Sequence, residues 1–157
     1  LDAVAPEGTR FLLAPQETIS PDQPMTGEKM ARFLALYRAS DFDDALNKAI
    51  EIQTIQGAGH SLGLHSGDDE RARRLAMEAR TCRVIVNQAH CFATGGFFNN
   101  GLPFSLSMGC GSWGGNSIDN NLNWEHFVNT VLVARTIEER RPSLDDIFSD
   151  YWNAYGQ

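Results

Sequence analysis

With 157 residues, 42% of them hydrophobic, the chain is long enough to bury one core, and a single domain is the expectation. Thirteen Lys and Arg against 20 Asp and Glu leave a formal net charge of −7, which argues against nucleic acid and acidic membranes as partners. No apolar run is long enough to span a bilayer, and three cysteines without framework spacing (Cys82, Cys91, Cys110) point to a reducing cytoplasm rather than a secreted disulfide scaffold.

The opening Leu1-Asp-Ala-Val-Ala-Pro6 has neither a basic n-region nor an apolar h-region, so no secretory leader is visible. Leu1 is not an initiator methionine, and chain upstream of it is expected. Four of the six prolines fall within residues 6–27. There Phe11-Leu-Leu-Ala14 reads as a brief strand, followed by an irregular connection. Phe33-Leu-Ala-Leu-Tyr37 reads as a buried strand. Ser40-Asp-Phe-Asp43 offers a cap with an acid three residues on, which opens a helix. Phe42, Ala45, Leu46, Ala49, Ile50 and Gln53 recur at helical spacing, and Gly57 and Gly59 end the pattern. Ser61-Leu-Gly-Leu-His65 reads as a strand. Asp68-Asp-Glu70 places negative charge where a helix dipole favours it, ahead of the stripe Ala72, Leu75, Ala76, Ala79. Cys82-Arg-Val-Ile-Val86 reads as a strand apolar enough to be covered on both faces.

Strand, helix, strand, helix, strand with short joins predicts parallel βαβ units. The fold class is therefore α/β, with helices packed on a parallel sheet. Residues 88–121 are rich in glycine, asparagine and phenylalanine and too long for a plain connection, which marks them as functional. Asn123–Asn129 suits a short helix and Val131-Leu-Val-Ala-Arg135 a strand. From Ser143 onward, Leu144, Ile147, Phe148, Tyr151, Trp152 and Tyr155 fall on one helical stripe. Its apolar face calls for cover by this domain, another domain or another subunit.

The segment Ser105–Ser117 carries the most information. Four glycines, Cys110, Trp113 and Asn116 crowd into Gly109–Ser117, a pattern suited to close backbone approach. Gly109–Gly114 also matches GxGxxG, but no βαβ context surrounds it, so an active-site or subunit-contact loop is preferred to a dinucleotide loop. Cys110 is read as a small residue that lets two segments meet, in preference to a nucleophile, which would need a base or positive neighbour. Cys82 belongs to the core. Cys91 lies beside His90. The histidines lack helical zinc-ligand spacing and no metal is expected, although clustering of His90, Cys91 and Cys110 stays open. The simpler reading of His60 is a histidine capping the preceding helix. Glu28 follows a proline-broken loop and could accept ribose hydroxyls, with a solvated glutamate as the default. Arg71, Arg73, Arg74 and Arg80 fit a solvated helix face better than a phosphate site.

Ser105–Ser117 resembles the C-terminal glycine loop of CoA-acylating aldehyde dehydrogenases. Gly27-Glu-Lys-Met30, Leu36-Tyr-Arg38, Asp41-Phe-Asp-Asp-Ala45, Gly57-x-Gly-His-Ser61, Arg83-Val-Ile-Val-Asn87 and His126-Phe-Val-Asn129 resemble further segments of that family in the same order, over about residues 6–137. Arg32 departs from it, standing where relatives usually carry proline. The loop His90–Phe98, with Phe92, Phe97 and Phe98, resembles sulfoacetaldehyde-type members. The resemblance implies the C-terminal part of a catalytic domain, 1–137, with an oligomerisation strand at 131–137 and a helical tail at 138–157. It implies NAD or NADP as cofactor, coenzyme A as co-substrate, a small aldehyde as substrate and a homo-oligomer. It assigns Glu28 to the nicotinamide ribose, His60 to the thioester or CoA side, and Phe97, Cys110, Gly111 and Trp113 to the aldehyde pocket. The nucleophilic cysteine and the cofactor domain belong to an upstream remainder, because no residue here matches the nucleophile. A non-acylating aldehyde dehydrogenase and an inactive assembly module on the same fold are the alternatives.

Overall fold

The structure is a computed structural model and describes residues 6–156. All but the last residue of the segment inspected for a leader lies outside that range. The chain divides between Phe127 and Val128 into two units.

In the first unit, β1 (Leu12–Gln16) and β2 (Phe33–Tyr37) pair in parallel, Leu12 opposite Phe33 through Gln16 opposite Tyr37. The connection between them is irregular and is pinned by the buried Thr26, whose hydroxyl oxygen accepts from the Ser20 amide at 3.2 Å. Helix α1 (Phe42–Gln56) follows. Its cap is Asp41, one residue later than the expected Ser40. The Asp41 carboxylate accepts from the Asp44 amide at 2.9 Å, while Asp44 reaches back to the Ser40 amide at 2.9 Å. Gly57, at φ 102°, ends the helix where the sequence places the stop.

β3 (Leu62–Leu64), α2 (Asp69–Glu78) and β4 (Val84–Val86) form one βαβ unit, with Leu62 opposite Val84 and Leu64 opposite Val86. Asp68 caps α2 by accepting from the Glu70 amide at 3.0 Å. Leu46 of α1 and Leu75 and Ala79 of α2 are buried together, flanked by Phe42, Ile50, Leu62, Leu64 and Val84. The apolar stripes of both helices thus meet the β3–β4 pair, and the hydrophobic effect holds this joint. The arginines of α2 form a surface lattice. Arg71 pairs with Asp68, Arg73 with Glu70, and Arg74 with Glu78 and with Asp43 across on α1. Arg71 and Arg74 also cover the Phe42 ring.

Parallel pairing is as expected, but the four strands fall into two separate two-stranded sheets. Periodicity marks where strands lie and not which neighbours they take. Leu13, Leu34 and Leu36 form an outward apolar face on the first pair.

After β4 come the short helix α3 (His90–Ala93) and two single 3₁₀ turns, Ser112–Gly114 and Trp124–Phe127. The second turn takes the place of the short helix expected at 123–129. In the second unit, the strand expected at 131–135 forms no hydrogen-bonded strand within this chain, and residues 128–142 hold no regular element. Helix α4 (Leu144–Tyr155) begins at Ser143 with a capping box closed by Asp146. Along it Phe148 stacks toward Trp152, and Tyr151 toward Tyr155.

Candidate functional site

The site grows from two glycine-containing turns that meet. Parallel pairing of β3 and β4 extends back to a bridge between Gly59 and Thr81. Between that bridge and Leu62 the ladder lapses at His60 and Ser61. The second turn is the glycine loop. Its arms pair antiparallel, Gly109 N–H donating to Asn120 O at 3.0 Å and Gly111 N–H to Ile118 O at 2.9 Å. Asn116 closes the tip, its Oδ1 accepting from the Cys110 amide at 2.8 Å and its Nδ2 donating to Gly114 O at 3.2 Å.

The two turns touch where side chains are missing. A Cβ on Gly59 would stand 2.2 Å from the Cys110 carbonyl oxygen, and one on Gly114 2.4 Å from the Cys110 Cβ. One on Gly109 would stand 2.1 Å from Ile118 O. The reading of Cys110 as a small residue between two close segments therefore matches its packing. Gly111, at φ 59°, passes close to Cys82, whose thiol pKa is pushed up by burial.

Arg83 locks the joint. Its side chain is 4% exposed, and no carboxylate lies within ion-pair distance among the described residues. Instead Nη1 donates to His60 O and to Gly109 O, both at 2.9 Å, and Nε donates to Asn121 Oδ1 at 2.7 Å. The fully buried Asn121 in turn donates to Thr94 O at 2.9 Å and Pro103 O at 2.8 Å. One guanidinium thus ties the histidine turn, the glycine loop and the α3 loop together. A lone arginine inside the apolar run 82–86 was the sequence signal for it. Asn121, in an asparagine-rich stretch, gave none.

His60 is exposed and does not cap α1. Its Nδ1 lies 2.6 Å from Ser61 Oγ, which lies 2.9 Å from Nε2 of His90. His90 faces this hydroxyl, and its pKa is held below the usual histidine value, first by burial and then by His60. Cys91 is exposed. Trp113 lines a cavity of about 520 Å³ with Gly57, Ala58, Thr54 and Arg80, between the ends of α1 and α2. Phe97 lines a different cavity, of about 300 Å³, at the carboxyl end of β4 with Asn87, Gln88 and Phe92. That is where parallel sheets usually receive ligands. Asn100 staples this aromatic loop. Its Oδ1 accepts from the amides of Phe97 (3.2 Å) and Leu102 (3.1 Å), and its Nδ2 donates to Gln88 Oε1 and Ala93 O, both at 3.1 Å. Glu28 is exposed. Its amide donates to Gln56 Oε1 at 3.0 Å, and its carboxylate has no hydrogen-bond partner among the described residues. The structure therefore gathers His60, Cys110 and Gly111 at one joint, with Trp113 on the same loop, and sets Phe97 and Glu28 elsewhere.

No family model matches the chain. It is 47% identical over 147 residues to the sulfoacetaldehyde dehydrogenase (acylating) of Cupriavidus necator, which covers 94% of this chain and 30% of that protein. It is 35% identical over 153 residues to the sulfoacetaldehyde dehydrogenase (acylating) of Bilophila wadsworthia, covering 97% of this chain and 33% of that one. The crystal structure of a probable aldehyde dehydrogenase from Listeria monocytogenes superposes with a TM-score of 0.79 at 31% identity, over 92% of this chain and 31% of that chain. The chain thus spans about a third of the length of the relatives it matches. By sequence along nearly its whole length it belongs to the acylating aldehyde dehydrogenases, and its fold is that of part of an aldehyde dehydrogenase.

Proposed function

We propose that this chain is the C-terminal part of the catalytic domain of an NAD(P)-dependent, CoA-acylating aldehyde dehydrogenase. The complete enzyme converts a small aldehyde, coenzyme A and NAD(P) into an acyl-CoA. The observation that carries the reading is the glycine loop seated on the Gly-Ala-Gly-His turn, with Arg83 bridging their carbonyls. The likeness to enzymes named for sulfoacetaldehyde favours a short sulfonated aldehyde.

The residues fit the groups that this chemistry needs. The Glu28 carboxylate, free of protein partners among the described residues, suits ribose hydroxyls. When bound, the nicotinamide supplies the hydride acceptor. His60, exposed beside the loop, suits a proton acceptor for the CoA thiol, and a thioester is reactive enough to be taken by that thiol. Cys110, Gly111 and Trp113 are assigned to one side of the aldehyde pocket and Phe97, from its separate cavity at the end of β4, to another; polypeptide upstream would complete the pocket and bring the nucleophilic cysteine to it. Val131, Leu132, Val133 and Ile137, unpaired among the described residues, suit strand addition to another subunit's sheet. The domain limits that follow are 1–137 for the catalytic part and 138–157 for the tail. No helix among the described residues is long and apolar enough to cross a membrane. A cytoplasmic enzyme is the reading that the three cysteines without framework spacing favour.

The test is a product assay on the full-length enzyme. With NAD or NADP, CoA and short aldehydes, it is expected to form acyl-CoA, while the 157-residue chain alone shows no sustained turnover. Free acid as the product without CoA would instead establish the non-acylating reading. Turnover by the isolated chain would overturn the placement of the nucleophile upstream.

A further inference from the structure

Two histidines share one hydroxyl at this joint, and a single proton can lie on each of the two short contacts. His60 Nδ1 to Ser61 Oγ is 2.6 Å and Ser61 Oγ to His90 Nε2 is 2.9 Å. Ser61 has one hydrogen to give. If it gives it to His90, it must receive one from His60. If it gives it to His60, it must receive one from His90. The tautomers of the two rings are therefore coupled, although 29 residues separate Ser61 from His90.

Only one arrangement leaves a lone pair on the outer nitrogen of His60. We propose that Ser61 and His90 are positioning residues, and that His90, by accepting the Ser61 hydroxyl proton on Nε2, holds His60 with its proton on Nδ1 and its Nε2 free as base for an incoming thiol. This rests on the CoA-acylating reading given above for the identity of the thiol. In the step so served, the S–H proton passes to His60 Nε2. The sulfur bonds to the acyl carbon, the enzyme thioester C–S bond breaks, and its electron pair leaves on the enzyme cysteine. Nothing is oxidised or reduced.

Three points bear on this arrangement. A neutral histidine side chain in water prefers the proton on Nε2, so His60 needs an outside constraint to become a base at that atom. Burial disfavours an extra proton on His90, so the ring stays neutral and one of its nitrogens keeps a lone pair that the Ser61 hydroxyl can bond. The His90 ring is also held in place, because a Cβ on Gly63 would lie 2.7 Å from its Nδ1. No carboxylate bonds either ring among the described residues. The Arg83 guanidinium is the other polar group bonded at the joint, on the His60 carbonyl.

The full-length enzyme tests this with Ser61→Ala, His90→Phe, His90→Gln and Gly63→Ala. Gly63→Ala displaces the ring without removing a polar group. The His60 tautomer is read by ring-nitrogen NMR, with His60→Gln to assign the signal. The expected wild-type signal is Nδ1–H. Ser61→Ala, His90→Phe and Gly63→Ala are expected to move it to Nε2–H, to slow acyl transfer to CoA about tenfold, and to leave the single-turnover NADH burst unchanged. His90→Gln, a neutral acceptor at the same place, is expected to restore both. An unchanged tautomer in the folded variants would overturn the proposal, as would a burst that falls in step with acyl transfer. A wild-type enzyme that makes no acyl-CoA but shows the expected tautomer shifts would overturn the CoA reading and leave the coupling standing.

Discussion

Gly59 and Gly109 are fixed by what stands opposite them. At each, a methyl group would stand within 2.2 Å of a backbone carbonyl oxygen, Cys110 O or Ile118 O, and backbone cannot swing aside as a side chain can. Gly59→Ala and Gly109→Ala are expected to destabilise the fold by about 3 kcal/mol each, the scale of overpacking, to which the positive φ of Gly59 adds backbone strain at that position. Gly67, with nothing within 4 Å of its would-be Cβ, serves as the control. Its replacement by alanine should shift stability by less than about 0.5 kcal/mol. Thermal unfolding of the full-length variants decides it, and equal shifts at all three positions would refute the contact argument. At this scale the sequence is partly legible. Crowded glycines announce a close approach without naming the partner. Arg83 shows why the remainder was hidden. A charge in an apolar run normally reads as an exposed face, whereas here three acceptor oxygens take Nε and Nη1 in place of water, while Nη2 is buried without a partner among the described residues.

The helices were legible in the sequence because their ends are local chemistry. Asp41, Asp68 and Ser143 each cap through bonds to residues two or three positions on. The strands were legible as strands but not as sheets, since pairing joins segments far apart and leaves no local trace. Helix α4 offers the sharpest test of a cap. The Ser143 hydroxyl and amide both donate to Asp146, and these bonds hold its pKa below the usual aspartate value. A lowered folded-state pKa means that the stabilisation is complete above the unfolded value and is lost as pH falls through the folded one. Far-UV circular dichroism of a peptide covering residues 140–157 is therefore expected to lose helicity on acidification below the ordinary carboxylate range. Ser143→Ala should reduce both the helicity at neutral pH and the size of that acid step. An acid step undiminished in Ser143→Ala would assign it to Asp145 or Asp150 instead.

For the molecule as a whole, family membership was legible because several short segments recur in order, each weak alone. The division between Phe127 and Val128 was not, since the helix pattern at 123–129 runs across it. Nor was the outward face of Leu13, Leu34 and Leu36, for alternation in a strand shows two faces without showing what covers either. The placement of Phe97 apart from Trp113 followed from the same limit, because loop residues 88–121 carry no period that would assign them to one cavity or another.

Asn100 sets how this protein ages. An asparagine followed by glycine is the pair most open to succinimide closure, in which the next amide nitrogen attacks the side-chain carbonyl carbon and ammonia leaves. In the native fold both ends of the Asn100 amide are engaged, so the side chain is not free to rotate into the attack geometry and closure waits for the aromatic loop to come apart. Deamidation at this one position therefore records accumulated loop opening, much as amide exchange does on shorter times. Peptide mapping after storage is expected to find Asn100 intact in native protein and converted first in protein kept in denaturant. Fast conversion under native conditions would mean that the staple does not hold.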